Sequence, residues 1–355
     1  MVDHLPEIVS HVRSALLKHN KQLPQIAIVC GSGLSELSSK ILEPLSLPYS
    51  TIPNFPVSTV AGHGSELVFG TLGGKPVVAQ RGRFHFYEGH PQSSVVIAVR
   101  LFAALGCKIM IATNAAGGVN ANFSVGDIMI ISDHISLPCL SGNHPLVGHN
   151  DDRFGPRFPA VNHIYHPELQ NITSSVAKKR GLDKYLQKGT YFHDSGPTYE
   201  SPMEILAMRR LGGDAVGMST VPEVLVAAHS GMTVLGLSLI TNQCLAPGDT
   251  RTPPSHEEVL ESTKHRAEDM QGLVADIIQA VPNSLLESFS TPKAHAHFFG
   301  PSNGKVTINS TNSNSNSRSF IFTPPRSLLE LSAVLLFSSA SIALLVETFR
   351  RSGAK

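Results

Sequence analysis

Three apolar runs dominate the layout of this chain. Residues 25–30 (QIAIVC) run into Gly31-Ser32-Gly33, residues 109–113 run into Asn114-Ala115-Ala116-Gly117-Gly118, and residues 233–241 are nearly continuously apolar. Short runs without polar alternation are typical of strands buried on both faces, and such strands need helices on both sides. Helical spacing occurs between them, at 6–19 (Ile8, Val12, Ala15, Leu16), 34–41, 93–105, 167–180, 220–230 and 256–280. Further strands are expected at 127–132 and 189–193, and a hairpin at 67–70 and 76–80 around Gly73-Gly74. The expected fold is α/β, a single domain with a central mixed, twisted β-sheet flanked by helices.

Composition narrows the class. Of the 355 residues 41% are apolar and 15% charged, with a formal net charge of +1. That balance suits a soluble enzyme and offers no basic field for a nucleic acid. The four cysteines, Cys30, Cys107, Cys139 and Cys244, are widely and irregularly spaced, so neither a disulfide framework nor a metal-binding CxxC is expected. No histidine pattern of the HExxH kind occurs, and no metal is expected. The N-terminal segment is amphipathic, so no secretory signal is expected, and a reducing cytoplasmic setting fits.

The catalytic domain is expected to span 1–283. Residues 284–326 lose periodicity and include the polar tract NSTNSNSN at 309–316, which reads as a disordered linker. Residues 327–355 carry an apolar stretch at 328–346, interrupted by serines and Glu330 and followed by Arg350-Arg351. It reads as a membrane tail anchor, as an amphipathic helix docking on the domain, or as a gene-model addition. Residues 138–159 are rich in Gly, Pro, Asn and His without periodicity, and long loops of this kind usually serve a site or an interface.

Residues 195–224 bring two polar points into one stretch. Glu200 follows a Gly-Pro turn beside Tyr199, a helical segment intervenes, and the chain returns to Met218, Ser219 and Thr220. Such an arrangement can offer a carboxylate acceptor and, across one pocket, a hydroxyl at a helix N-terminus where an anion binds. Gly31-Ser32-Gly33 lies between strand and helix and also suits an anion. It is neither a P-loop nor a dinucleotide fingerprint, because no GK[ST] follows and position 36 is Glu. Arg83 and His85, in the run RGRFHFYEG at 81–89, would add a guanidinium and an imidazole, and Tyr87 a ring. His63 sits between glycines in a loop that could close over a ligand. Residues 114–118 read either as a place where backbone approaches a ligand or as an ordinary turn.

The segments GSGLSEL, TVAGHGSELVFG, RGRFHFYEGH, TNAAGGVN, FGPRFP, GPTYES, VGMSTVPEV and SLITN, from about residue 24 to 282, resemble the trimeric purine nucleoside phosphorylases. The resemblance implies a phosphate site of Ser32, His63, Arg83, His85, the backbone amide of Ala115, and Ser219. It implies purine contacts from Glu200, Asn242 and Tyr199. The ribose would rest on Met218 near Tyr87 and His256, covered by Phe158 from a neighbouring subunit of a homotrimer. The catalytic set it implies is Asn242, Glu200, His85 and His256. The implied reaction is reversible phosphorolysis of inosine and guanosine and their deoxy forms, in purine salvage and catabolism. Inorganic phosphate would be co-substrate, with no cofactor.

Donor–acceptor arithmetic supports 6-oxopurines. Ionised Glu200 can only accept, which matches N1–H, and the Asn242 amide can donate to N7. An aspartate at that position would suit a 6-amino group, as in the related methylthioadenosine phosphorylases. The competing readings are thus a methylthioadenosine-type enzyme and a non-catalytic, membrane-tethered nucleoside-binding protein. Three departures from the family stand out. Gln243 occupies a place often held by lysine, Phe86 one often held by methionine, and residues 244–255 (CLAPGDTRTPPS) diverge.

Overall fold

Strand β1 (Ile26–Cys30) is buried at all five positions and sits between two parallel neighbours. A computed structural model of the protein describes residues 4–31, 35–57, 64–250 and 264–300. In chain order the first half runs α1 (Leu5–Lys18), β1, β2 (Leu42–Pro48), β3 (Glu66–Leu72), β4 (Lys75–Arg81), α2 (Gln92–Val95), α3 (Ile97–Leu105), β5 (Ile109–Gly118) and β6 (Ile128–Ser136). It continues with α4 (Leu137–Leu140), α5 (Pro167–Lys179), β7 (Leu186–His193), α6 (Pro202–Arg210), β8 (Ala215–Gly217), α7 (Val221–His229) and β9 (Thr233–Gln243). The last described helices are α8 (Lys264–Ala280), α9 (Asn283–Ser288) and α10 (Lys293–Phe299).

The expected mixed sheet is present, and it does more than lie open. Its order is β2-β3-β4-β1-β5-β8-β7-β6-β9, with β9 also paired to β5. The second half therefore closes into a ring, β5-β8-β7-β6-β9. Strand β5 makes this possible by changing neighbours along its length. Its first half pairs with β1, while Gly117 and Gly118 pair antiparallel with β8. Residues 114–118 are thus strand, not a turn, with a register shift against β9 between Ala116 and Gly117.

Apolar cores form on both faces of the sheet, which explains the unbroken apolar runs. One joins α1, α3 and α7 to the sheet, through residues such as Ile8, Phe102 and Val224. The other joins α5 and α8, through Leu169, Met270 and Ile277. Cys30 and Cys107 are buried in these cores, and burial pushes the Cys30 thiol up to about 12. The segment after β1 is a 3-10 helix, Ser35–Lys40, rather than an α-helix.

The loop following α4 is pinned from inside. Arg100 donates to His229 Nδ1 at 2.7 Å, so the neutral ring carries its proton on Nε2 and donates to Asn150 Oδ1 at 3.0 Å. Burial, aided by Arg100, pushes His229 down to about 4, which keeps this tautomer neutral. Arg100 also lies over the Phe154 ring, 4.4 Å from its centroid.

One expected boundary moves. Residues 284–299 are not linker: α9 buries Leu285 and Leu286, and α10 buries Ala294. These helices are six and seven residues long, too short for a hydrophobic period to register. No helix among the described residues is long and apolar enough to cross a membrane. The polar tract and residues 328–346 lie outside the described residues.

Candidate active site

The carboxyl ends of β1, β5, β8 and β9 meet at one cleft of about 770 Å³, counting its open mouth. Close contact between β1 and β5 depends on Gly31. A Cβ there would fall 2.6 Å from both the Asn114 Cα and the Thr113 carbonyl oxygen. The Gly31 N–H donates to Thr113 Oγ1 at 3.1 Å, and that hydroxyl donates to the Val29 carbonyl at 2.8 Å. Nine of the residues named from sequence line this cleft: Arg83, His85, Tyr87, Ala115, Tyr199, Glu200, Met218, Ser219 and Asn242. Ser32, His63 and His256 lie outside the described residues. Phe158 is 87% exposed and does not line the cleft of its own chain.

One end of the cleft is built for an anion. Arg83 is only 1% exposed, and its guanidinium is held on several sides. One terminal nitrogen donates to Ser219 Oγ at 2.5 Å and Thr220 Oγ1 at 2.9 Å, the other to the Thr113 carbonyl at 2.6 Å. Asn114 Nδ2 also donates to Thr220 Oγ1, at 2.9 Å. With two bonds already accepted, the Thr220 hydroxyl serves as donor to Ser219 Oγ, 3.2 Å away. Ser219 is then an acceptor from two sides, with its hydroxyl at the wall of the cleft.

His85 stands beside this site with a fixed tautomer. Glu88 accepts from the His85 backbone N–H at 2.8 Å and from Nδ1 at 3.0 Å. Burial lowers the His85 pKa, so the ring is neutral near pH 7 with Nε2 as its acceptor nitrogen. Tyr87 stacks on it, centroids 4.6 Å apart.

The other end suits a flat polar ring. Burial pushes the Glu200 carboxyl up to about 7, and Asp194 and Glu204 add to the rise against a backbone hydrogen bond. Opposite, the Thr241 hydroxyl donates to Asn242 Oδ1 at 3.1 Å. That bond occupies the acceptor side of the amide and leaves its NH₂ as the group on offer. Between the two ends sits Met218. The turn before Tyr199 packs on its thioether at Gly196, whose φ of +62° and lack of Cβ allow the approach.

Gln243 has a different task. Its side-chain amide donates to the Phe123 carbonyl, and it is not among the lining residues. Sequence reasoning missed Thr241 and Glu88 and gave the side chains of Asn114 and Thr220 no task; all four orient residues that it did name. Thr113-Asn114 and Thr241-Asn242 both end apolar strands, which is the signal that could have found them.

A family model described as the phosphorylase superfamily matches residues 25–279. The chain belongs to this superfamily and, within it, to the purine nucleoside phosphorylases. The bovine purine nucleoside phosphorylase is 48% identical over 269 residues, covering 76% of this chain and 93% of the bovine protein. Purine nucleoside phosphorylase 1 of Geobacillus stearothermophilus is 48% identical over 256 residues, 72% of this chain and 91% of that protein. Among solved structures, the Schistosoma mansoni purine nucleoside phosphorylase in complex with inosine matches with a TM-score of 0.75 at 40% identity. That match covers 79% of this chain and 97% of that one. The same enzyme in complex with adenosine gives 0.74 at 39% identity, over 79% and 98%. Helices α9 and α10 lie beyond the span of the family model.

Proposed function

We propose that this protein catalyses the reversible phosphorolysis of purine ribonucleosides and deoxyribonucleosides, chiefly inosine and guanosine. The products are the free base and ribose or deoxyribose 1-phosphate, as in purine salvage and catabolism. The observation that carries this reading is the two-ended cleft. A buried arginine and an oriented serine stand at one end, and a carboxyl and a polarised amide stand at the other. The named relatives support it, as do the Schistosoma enzymes solved with inosine, with guanosine and, for isoform 2 of the S. mansoni enzyme, with cytosine and ribose 1-phosphate.

In the proposed reaction the bond from the sugar carbon to the purine nitrogen breaks and a bond from that carbon to a phosphate oxygen forms. The bonding electrons leave with the purine. Positive charge develops on the sugar and negative charge on the base. Arg83, the Ala115 amide and Ser219 donate to the phosphate, the acceptor Nε2 of His85 takes the proton of its hydroxyl, and Ser32 and His63 complete the site. The phosphate dianion stabilises the sugar cation and attacks it. The Asn242 NH₂ donates to the departing ring where its charge appears, and such preorganised donors are a large source of rate. Glu200 accepts from N1–H of a 6-oxopurine. Met218, Tyr87 and His256 surround the ribose, and Tyr199 flanks the base. No metal or organic cofactor enters this reaction, and inorganic phosphate is a co-substrate.

The active form proposed is a cytoplasmic homotrimer in which Phe158 reaches across to cover a neighbouring sugar site. Its exposure on a loop pinned by His229 and Asn150 supports that role. The methylthioadenosine-type reading is disfavoured by Asn242, which offers an NH₂ where a 6-amino purine also presents donors. The test is release of hypoxanthine from inosine by the full chain, with and without phosphate. Phosphate-dependent release is expected. Release without phosphate, or none by folded protein, would overturn the reading, and equal turnover of adenosine would overturn the base preference.

A further inference from the structure

Residues 220–223 spell Thr-Val-Pro-Glu at the start of α7, the pattern of a helix capping box. The box does not form. Thr220 makes no side-chain cap, and its backbone stands at φ +75°, ψ −54°, a costly conformation for a β-branched residue. Both side chains that would cap the helix are turned instead toward Arg83. Thr220 accepts a hydrogen bond from it, and a Glu223 carboxylate oxygen lies 3.5 Å from the same terminal nitrogen.

Glu223 is 2% exposed, and neither of its carboxylate oxygens makes a hydrogen bond among the described residues. It does not line the cleft. Arg83 is already held in place by Thr113, Ser219 and Thr220, so it does not need Glu223 for its geometry. What the carboxylate brings is charge. Burying a carboxylate without a full set of hydrogen bonds is costly, and here the cost places a negative charge directly behind the guanidinium of the anion site.

We infer that Glu223 is the resident counter-charge of Arg83: it keeps the arginine compensated when the anion site is empty and holds phosphate affinity down. This rests on Arg83 belonging to the phosphate site, as proposed above. When phosphate is bound, its own charge compensates the arginine, and Glu223 then weakens the complex by like-charge repulsion. When phosphate leaves, Glu223 spares the protein a buried unpaired cation. Glu223 touches no substrate and acts through Arg83, so it is a positioning residue of electrostatic kind.

Two substitutions separate charge from shape. Glu223→Gln keeps the shape and removes the charge, whereas Glu223→Asp keeps the charge and shortens the side chain. Thermal unfolding of the full chain with and without inorganic phosphate reads the effect, together with KM for phosphate and for inosine. Glu223→Gln is expected to melt below wild type in phosphate-free buffer and to regain most of the loss when phosphate is added. Its KM for phosphate should fall by roughly tenfold, the lower end of what close charge pairs are worth, while KM for inosine stays put. Glu223→Asp should track wild type in its response to phosphate. A purely structural residue would give the reverse order, with Gln tolerated, Asp damaging, and the same loss with or without phosphate, and that result would overturn the inference. If phosphate fails to raise the melting temperature of wild type itself, the phosphate site falls, and this inference with it.

Discussion

The Thr241 hydroxyl donates to the side-chain carbonyl of Asn242 at 3.1 Å, and this fixes which face of the amide meets the cleft. The one proton of that hydroxyl is shared with the Ala116 carbonyl, 3.3 Å away, and the shared bond ties the pair to the end of β5. Asn242 is thereby oriented as a donor before any base arrives. Thr241→Val, which keeps the volume and removes the donor, should let the amide rotate. We expect kcat for inosine to fall by about tenfold, less than the loss typical when a donor to developing charge is itself removed. Thr241→Ser should restore it. Steady-state kinetics on the three proteins checks this, and equal kcat in Thr241→Val would show that the amide needs no such hold.

Glu200 gives a pH signature with opposite signs for stability and activity. Burial carries its pKa from 4.5 to about 7, so the folded chain holds an extra proton there across that window. The stability due to the neutral carboxyl is fully present below pH 4.5 and is lost as pH rises through about 7. Glu200→Gln has no proton to lose. Its unfolding free energy should therefore fall less steeply with pH than that of wild type, by about 1.4 kcal/mol per pH unit within the window. Activity runs the other way, because N1–H needs the ionised acceptor. The wild-type kcat/KM for inosine should rise through pH 7, and that rise should vanish in Glu200→Gln, with the rate lower by roughly 100-fold. Urea unfolding and initial rates over a pH series provide both readings.

Much of the cleft lining was legible in the sequence, and the side chains that orient it were not. Glu200, Met218 and Ser219 fall within one stretch of sequence, and the cleft brings them together with Arg83 and Asn242 as expected. Glu88, Asn114 and Thr220 act by orienting neighbours, and a partner 106 positions away leaves no local mark. A helix from 220 was expected and is present, yet the Thr220 side chain serves Arg83 rather than the helix end. The fold was legible as strands and helices because both faces of the sheet are apolar. The closure of its second half was not, since that depends on Gly117 and Gly118 leaving the β1 register for β8.

The C-terminal boundary yields a prediction about stability. Composition would end the domain near residue 283, but α10 docks on α3 through specific contacts. His295 donates from Nδ1 to the Ala104 carbonyl at 3.1 Å, and its ring stacks on Phe299 at 4.7 Å. Arg13 of α1 lies 4.7 Å from the Phe299 centroid, and Arg153 of the long loop 5.7 Å from that of Phe298. Gly106, at φ +95°, makes room, since a Cβ there would stand 2.9 Å from His295 Nδ1. A chain ending at 282 should be less stable by several kcal/mol, since burying Leu285 and Leu286 alone is worth about 3–6 kcal/mol and Ala294 and the cation–π contacts add to it. A chain ending at 300 should match the full protein in denaturant midpoint. The helices lie outside the cleft, so KM for phosphate should be unchanged in the shorter chain wherever it stays folded. Denaturant titration of the three lengths decides it: equal midpoints at 282 and 300 would mean that α9 and α10 add nothing to the fold.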